Sequence, residues 1–301
     1  MQKTLVSVCG PTAIGKTTMG IRLAQHFSTS IISADSRQFY KELEIGTAKP
    51  DVGELGEATH YFVNNLSIKD DYSVGDFERD VLSKLKELFK IHDTVIMVGG
   101  SGLFVRVIAE GLDDFPTIDK TIREKLNLEL AEKGIEVLQE RLRELDLETY
   151  TTMDIHNSQR LVRALEMCIG TGNPFSFYKN IPKPKRPFNV VTVGLNTDRE
   201  LLYERINHRV DQMIEKGLVE EARQFSDFRS LYALRTVGYS ELFDYFDGNS
   251  TKEEAIELIK RNTRRFSKRQ ITWFKKEKGI EWFEPTNFDD ILRFIEGRRL
   301  S

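Results

Sequence analysis

The sequence predicts an α/β protein whose parallel sheet is covered by helices on both faces and whose chain is interrupted by a helical insertion. Short apolar, β-branched runs alternate with amphipathic helical runs in both outer parts of the chain, an order typical of parallel βαβ units. A glycine-rich segment joins the first strand to the first helix. Between residues 116 and 187, charged helical patterns replace the strands. We therefore predict a discontinuous α/β core at 1–115 and 188–301, with a helical insertion domain at 116–187.

The individual elements follow from the spacing of apolar residues. Apolar, β-branched runs predict strands at 3–9, 30–34, 94–98, 189–195 and 280–283. Apolar residues at helical spacing predict helices at 17–27, 101–110, 122–133, 135–145, 159–169, 198–216, 219–225 and 252–276. The insertion ends in the Pro- and Lys-rich stretch 181–187, after which strand character returns.

Composition excludes several classes of protein. With 301 residues, 40% hydrophobic and 30% charged, the chain is not a disordered one. Cys9 and Cys168 lack the spacing of a disulfide framework or a cysteine-based zinc site. No apolar run approaches the roughly 18 residues of a membrane span, and the first strand begins at residue 3, which leaves no room for a signal peptide. We expect a cytoplasmic protein that does not bind membranes.

The charge of the chain is unevenly distributed. The net charge is −3, yet the segment Lys260–Lys278 carries nine Lys and Arg residues and one acid, Glu277. A strongly basic element in a mildly acidic protein indicates a docking surface for a polyanion. The alternative is a solvated helix face.

One motif predicts a phosphate-binding loop. The pattern GxxxxGK[ST] follows the first strand and precedes the first helix, as such a loop requires. Its glycines allow successive N–H groups to face an anion, its lysine reaches the terminal phosphate oxygens, and its threonine can ligate Mg²⁺. We call this segment the P-loop; its residues are Gly10, Pro11, Thr12, Ala13, Ile14, Gly15, Lys16 and Thr17.

The surrounding sequence narrows the class of P-loop protein. The strand at 94–98 ends in Gly99-Gly100-Ser101 and lacks the acid with which ATPases and GTPases hold magnesium. No NKxD guanine-reading motif is present. The fold class is therefore P-loop NTPase-like, similar to nucleotide kinases, and the function that remains is group transfer.

Two polar residues that follow strands are expected to face the P-loop. Asp35 and Ser101 each come at the carboxyl end of a predicted strand, where ligands bind in parallel sheets. The alternatives are that Asp35 caps a helix at 36–40 and that Ser101 caps the helix at 102–110.

Seven blocks together resemble the bacterial tRNA dimethylallyltransferase (tRNA isopentenyltransferase) family. They occur in family order between residue 3 and about residue 283. The blocks are GPTAIGKT at 10–17, DSRQFY at 35–40, IGTAKP at 45–50, GGSGLF at 99–104, QRLVRALE at 159–166, VGY at 237–239 and KRQITW at 268–273.

The resemblance implies a reaction and roles for particular residues. A dimethylallyl group would pass from dimethylallyl diphosphate to N6 of adenosine 37 in tRNA, with Mg²⁺ assistance. Lys16 would stabilise the diphosphate, Thr17 would hold the metal and Asp35 would be the base. Ser101 stands where the family usually has Thr. Arg209 would contact the diphosphate. Arg205 lies one turn earlier on the same predicted helix and could be the matching residue instead, so the alternative is that Arg209 is a solvated helix charge.

The resemblance also implies a tRNA interface at the anticodon stem-loop. The implied contacts are Asp35, Ser36, Arg37, Gln38, Ser101, Arg123, Gln159, Arg160, Leu161, Val162 and Arg163. In the basic segment we add Arg264, Lys268 and Arg269, on a helix whose Ile259, Phe266 and Trp273 recur every seven residues and predict its buried face. For Arg123, Arg160 and Arg163 a solvated helix face is the alternative.

Three alternatives to a monomeric tRNA-modifying transferase remain at this point. An adenylate isopentenyltransferase would use a free nucleotide, but it would not need the insertion or the basic segment. A small-molecule P-loop kinase would need a phosphate acceptor site, and none is identifiable in the sequence. A non-enzymatic RNA-binding module would not need the P-loop and Asp35.

Overall fold

The computed structural model describes residues 2–113, 115–179, 181, 183 and 185–299. The chain divides into two compact units. The α/β unit consists of Met1–Glu110 and Arg186–Ser301, and the helical unit consists of Gly111–Lys185. Asn180, Pro182 and Pro184, at the end of the predicted insertion, lie outside the described residues.

The α/β unit is built on a six-stranded parallel sheet. Its order is β3-β2-β4-β1-β5-β6. The strands are β1 (Thr4–Cys9), β2 (Ile31–Ser33), β3 (His60–Tyr61), β4 (Thr94–Gly99), β5 (Asn189–Leu195) and β6 (Ile280–Phe283). All adjacent strands pair in parallel, with Thr4 opposite both Thr94 and Asn189. The predicted parallel sheet is confirmed, and β3 was missed because two residues give no periodic signal.

The helices of this unit cover the sheet. They are α1 (Lys16–His26), α2 (Val52–Glu57), α3 (Val74–Leu88), α4 (Gly102–Glu110), α10 (Arg199–Glu215), α11 (Leu218–Gln224), α12 (Tyr239–Phe246), α13 (Lys252–Phe274) and α14 (Phe288–Arg299). Val6 and Val8 of β1 form an apolar cluster with residues of α1, α10 and α14. Leu5, on the opposite side of β1, is also fully buried, and α4 contacts β1 and β4.

Four helices of this unit were not predicted: α2, α3, α12 and α14. For α3 the signal was present, since Ser73 and Asp76 form a reciprocal cap at its start. Phe77 is fully buried, and Phe62 packs edge-on against it at 5.6 Å between ring centroids. These two aromatic rings therefore serve the packing of the α/β unit.

The helical unit contains five helices among its described residues. They are α5 (Lys120–Lys133), α6 (Ile135–Leu145), α7 (Leu147–Thr152), α8 (Ser158–Thr171) and α9 (Phe175–Lys179). Its apolar core includes Leu126, Leu142, Leu161 and Val162. Within the described ranges, no helix of either unit is both long and apolar enough to cross a membrane.

Two predicted RNA contacts are corrected by this core. Leu161 is 0% exposed and Val162 is 4% exposed. Because α8 packs against α5 and α6, these apolar positions face inward, and their side chains cannot reach RNA.

Candidate active site

The P-loop lies between β1 and α1, as predicted. Gly10 has a φ of 148°, and a Cβ there would come within 2.5 Å of the Leu195 carbonyl oxygen. Gly15 has a φ of 98° at the start of α1. Ala13 has a positive φ, and the buried Ile14 side chain anchors the loop in the sheet core. The backbone of the loop is therefore the part suited to an anion, and glycine is required where the loop approaches β5.

Lys16 is the cation of this loop. Its Nζ donates a hydrogen bond to the Pro11 carbonyl at 2.7 Å. Burial lowers the pKa of Lys16 to about 8, and the negative charge of Asp35 opposes that shift. Thr17 follows in the first turn of α1. A buried ammonium that has lost part of its hydration is suited to bind phosphate oxygens.

Asp35 and Ser101 meet at the carboxyl end of the sheet. Residues 36–39 form a turn and not a helix, and Asp35 Oδ1 accepts the Arg37 N–H of that turn at 3.1 Å. The Ser101 hydroxyl accepts the Ser36 N–H at 3.2 Å, so it contacts this turn directly. The alternative of Asp35 as a helix cap is wrong, and both side chains line one cavity, of about 400 Å³.

Arg209 reaches the same cavity from α10. Its Nη2 donates to the Ala48 carbonyl at 3.3 Å, and burial lowers the pKa of its guanidinium. Arg205, one turn earlier, is exposed to solvent. The geometry thus favours Arg209 over Arg205 as the residue that faces the P-loop and Asp35.

Gln270 was assigned no role from the sequence, yet it joins the P-loop to Gly100, the residue that follows β4. Its Oε1 accepts the Thr12 N–H at 2.8 Å, and its Nε2 donates to the Gly100 carbonyl at 2.9 Å. The side chain is only 6% exposed and lines the cavity. The sequence carries no signal of this role, because the burial of the amide and its two partners are set by the tertiary structure.

The loop at 43–50 is held by a second unpredicted residue. Glu221 Oε2 accepts the N–H groups of Glu44 and Ile45 at 2.9 and 2.8 Å. Its Oε1 accepts the Gly46 N–H at 2.9 Å and the Tyr239 hydroxyl at 2.6 Å. This carboxylate fixes the loop whose Ala48 carbonyl meets Arg209.

Two residues predicted to contact RNA form hydrogen bonds to other residues of the α/β unit. Arg37 Nη1 donates to the Tyr232 carbonyl at 2.8 Å. Gln38 Nε2 donates to the Ala48 carbonyl at 3.2 Å, and its Oε1 accepts the Ser33 hydroxyl at 3.0 Å. Arg37 nevertheless lines the cavity, together with Ser36.

The basic residues of the segment 260–278 differ in their exposure to solvent. Arg264 donates to Asn207 Oδ1 on α10 at 2.5 Å, whereas Lys268 and Arg269 are exposed. The predicted seven-residue buried stripe is partly wrong, because Ile259 is buried but Phe266 is 39% exposed. The buried face of the helix is not the predicted stripe. It includes Ala255, Ser267, Gln270 and Phe274 in addition to Ile259.

In the helical unit, the predicted arginines do not form one open row. Arg123 Nη2 and Arg163 Nη1 lie 2.7 and 2.8 Å from the same oxygen, Oε2 of the buried Glu166. Gln159 and Arg160, at the start of α8, are exposed. The structure therefore separates internally paired arginines from one that is free to face solvent.

Comparison with known proteins identifies relatives along nearly the whole chain. A family model described as IPP transferase matches residues 38–277. The chain is similar to a tRNA dimethylallyltransferase of Christiangramia forsetii, with 56% identity over 99% of each protein. It is similar to a full-length tRNA isopentenylpyrophosphate transferase structure from Bacillus halodurans, with a TM-score of 0.74, 34% identity and coverage of 99% of this chain and 97% of that one.

A eukaryotic dimethylallyltransferase structure shares the fold. Its TM-score is 0.82 at 24% identity, covering 98% of this chain and 77% of that chain. The family match spans most of the sequence, and the curated relative matches it from end to end. The chain belongs to the IPP transferase family.

Proposed function

We propose that this protein transfers a dimethylallyl group from dimethylallyl diphosphate to N6 of adenosine 37 in tRNA and releases diphosphate. As a member of the family whose relatives are named tRNA dimethylallyltransferases, it is a tRNA-modifying prenyltransferase. One observation carries the proposal: Thr12 of the P-loop, Asp35, Ser101 and Arg209 line a single cavity.

The P-loop is suited to hold the leaving group. Breaking the allylic C–O bond places additional negative charge on the diphosphate, and donors already oriented toward it stabilise the transition state. The loop N–H groups, Lys16 and Arg209 are the donors available for this task. Arg209 approaches from α10, across the cavity from the P-loop, and its planar group suits phosphate oxygens.

Mg²⁺ is the divalent ion that we assign to this reaction. Within the described part of the chain, no cluster of three or more His, Cys, Asp or Glu residues could hold a metal. Mg²⁺ is commonly held by few protein oxygens together with substrate phosphates and water. The hydroxyl of Thr17, the last P-loop residue and part of the first turn of α1, fits that requirement. Bound there, Mg²⁺ would neutralise charge on the diphosphate.

Asp35 is suited to assist the nucleophile. The adenine N6 lone pair is delocalised, so attack is helped by a carboxylate that accepts an N6 proton. As the C–O bond breaks, the bond from N6 to the allylic carbon forms, the proton passes to Asp35 and diphosphate departs with the C–O electron pair. Asp35 Oδ1 accepts the Arg37 N–H, which fixes the orientation of the carboxylate.

The target base must leave the anticodon-loop stack to reach this cavity. Ser101, at the cavity wall, keeps a hydroxyl that can bind the nucleotide or the diphosphate. We also propose that the enzyme acts as a monomer. A tRNA substrate supports a cytoplasmic location.

The test is transfer of label from radioactive dimethylallyl diphosphate with Mg²⁺, offered to unmodified tRNA or to AMP. We expect label in tRNA alone, at the position of adenosine 37 after nuclease digestion. Label in AMP would instead identify an adenylate isopentenyltransferase. A Lys16→Ala variant is the control for transfer that does not depend on the P-loop.

A further inference from the structure

Two aromatic rings remain exposed at the wall of the catalytic cavity. Tyr232 is 65% exposed and Phe266 is 39% exposed, and both line the cavity that Asp35 and Ser101 also line. Tyr232 belongs to a short 3-10 turn, and Phe266 lies on α13. Exposed apolar groups that lie together, unlike single exposed ones, indicate a ligand surface, and these two rings line the same cavity.

Each ring carries an arginine on one face. The guanidinium carbon of Arg37 lies 4.7 Å from the centroid of Tyr232, and that of Arg269 lies 5.7 Å from the centroid of Phe266. Arg37 also donates to the carbonyls of Tyr232 and Ala233, at 2.8 and 3.4 Å. The arginine therefore fixes the backbone that carries the ring, while much of the ring surface remains open to solvent.

Such pairs are suited to unpaired nucleobases. Aromatic side chains and guanidinium planes are the groups on which proteins stack bases of single-stranded RNA loops. When one base leaves a loop to be modified, its neighbours lose a stacking partner. A rigid ring at the mouth of the cavity can replace that partner without distinguishing one base from another.

We propose that Tyr232 and Phe266 stack on the unpaired bases that flank the modified adenosine, and that they thereby control RNA affinity. The proposal rests on the proposed function, since it names how the RNA of that reaction is held. Arg37 acts here by covering and anchoring Tyr232, which differs from the direct RNA contact implied by the family resemblance.

The test compares Tyr232→Leu and Phe266→Leu with the parent protein, using an unmodified anticodon stem-loop RNA. Leucine keeps apolar volume but removes the flat ring. We expect KM for RNA to rise about five- to hundredfold for each variant, as loss of one stacked base predicts. We expect kcat and KM for dimethylallyl diphosphate to change less than about twofold, and Tyr232→Trp to retain the parent KM.

The matched control is Tyr203→Leu. Tyr203 also lies under an arginine, with the Arg199 guanidinium carbon 5.1 Å from its centroid, but it packs against the sheet core. An unchanged KM for RNA in both leucine variants would overturn the proposal. A lower kcat at constant KM for RNA would also overturn it, because it would indicate that the rings only support the turn at 36–39 next to Asp35.

A second measurement separates this proposal from the proposed function. Fluorescence anisotropy of a labelled stem-loop gives its dissociation constant without dimethylallyl diphosphate. Weaker binding by both leucine variants, even if the parent protein transferred no label, would support stacking and refute only the transferase. Label transfer with unchanged dissociation constants would refute stacking alone.

Discussion

The α/β unit and the helical unit use their basic residues differently. In the α/β unit, burial lowers the pKa values of Lys16 and Arg209, and both interact electrostatically with Asp35. In the helical unit, Arg123 and Arg163 bind one oxygen of the buried Glu166. The first arrangement keeps positive charge available for a ligand, whereas the second neutralises it. A basic residue near a predicted site therefore indicates ligand binding only if it is not already neutralised by an internal carboxylate.

The largest effect is expected from Asp35→Asn. Asparagine keeps an oxygen that can accept the Arg37 N–H, so the turn is retained while the base is lost. We expect kcat to fall by about 10² to 10⁴-fold, the usual contribution of a general base. Single-turnover transfer to tRNA measures this.

The control for this variant is Asp51→Asn. Asp51 Oδ1 also accepts a backbone N–H, that of Glu54 at 2.9 Å, at the start of α2. We expect its kcat to match that of the parent protein. Transfer at the parental rate by Asp35→Asn would remove Asp35 from the chemistry and weaken the contrast between the two units.

The second prediction concerns the helical unit. Replacing both Arg123 and Arg163 by Met leaves the buried Glu166 carboxylate without its cations. We expect the free energy of unfolding to fall by about 3–5 kcal/mol for the double variant. Each single variant should lose about 1 kcal/mol or less, since one partner remains. Urea denaturation followed by circular dichroism measures both.

Adding Glu166→Gln to the double variant is the control, because it removes the unpaired charge. We expect it to recover most of the lost stability. If instead the single variants kept their stability but bound tRNA at least tenfold more weakly, the two arginines would serve RNA directly, and the comparison between the units would fail.

The third prediction is a pH profile. The Lys16 side chain attracts phosphate only in its protonated form, and its pKa is about 8. kcat/KM for dimethylallyl diphosphate should therefore be level up to about pH 7, reach about half of that level near pH 8 and fall about tenfold per pH unit above about pH 9. Lys16→Arg should abolish that fall, because the guanidinium stays charged. A profile that stayed level to pH 10 would contradict the role of Lys16.

The contrast between the units also explains what the sequence could predict. Asp35, Ser101 and the P-loop follow strands of a parallel sheet, so their side chains had to converge at one edge. Helix spacing carries less information, since it predicts which residues share a face but not what that face contacts. Leu161 and Val162 were misassigned to RNA for this reason.

Long-range partners were beyond the reach of the sequence. Gln270 contacts Thr12, 258 positions away, and Glu221 contacts a loop about 175 positions away. Neither pairing has a local signature, because both join segments that are distant in sequence and meet only in the tertiary structure. Short elements such as β3 form for the same tertiary reason, and their two residues show no periodicity.

The smallest effect is expected within the basic segment, where exposed and paired charges stand side by side. Lys268 is exposed, whereas Arg264 is bound to Asn207. Lys268→Gln should weaken tRNA binding about two- to tenfold at low salt and reduce the salt slope by about 1, as loss of one phosphate contact predicts. Arg264→Gln should leave that slope unchanged. Lys86→Gln, an exposed lysine on α3, is the control, and equal slopes for all three variants would show that the basic segment binds no phosphate through Lys268.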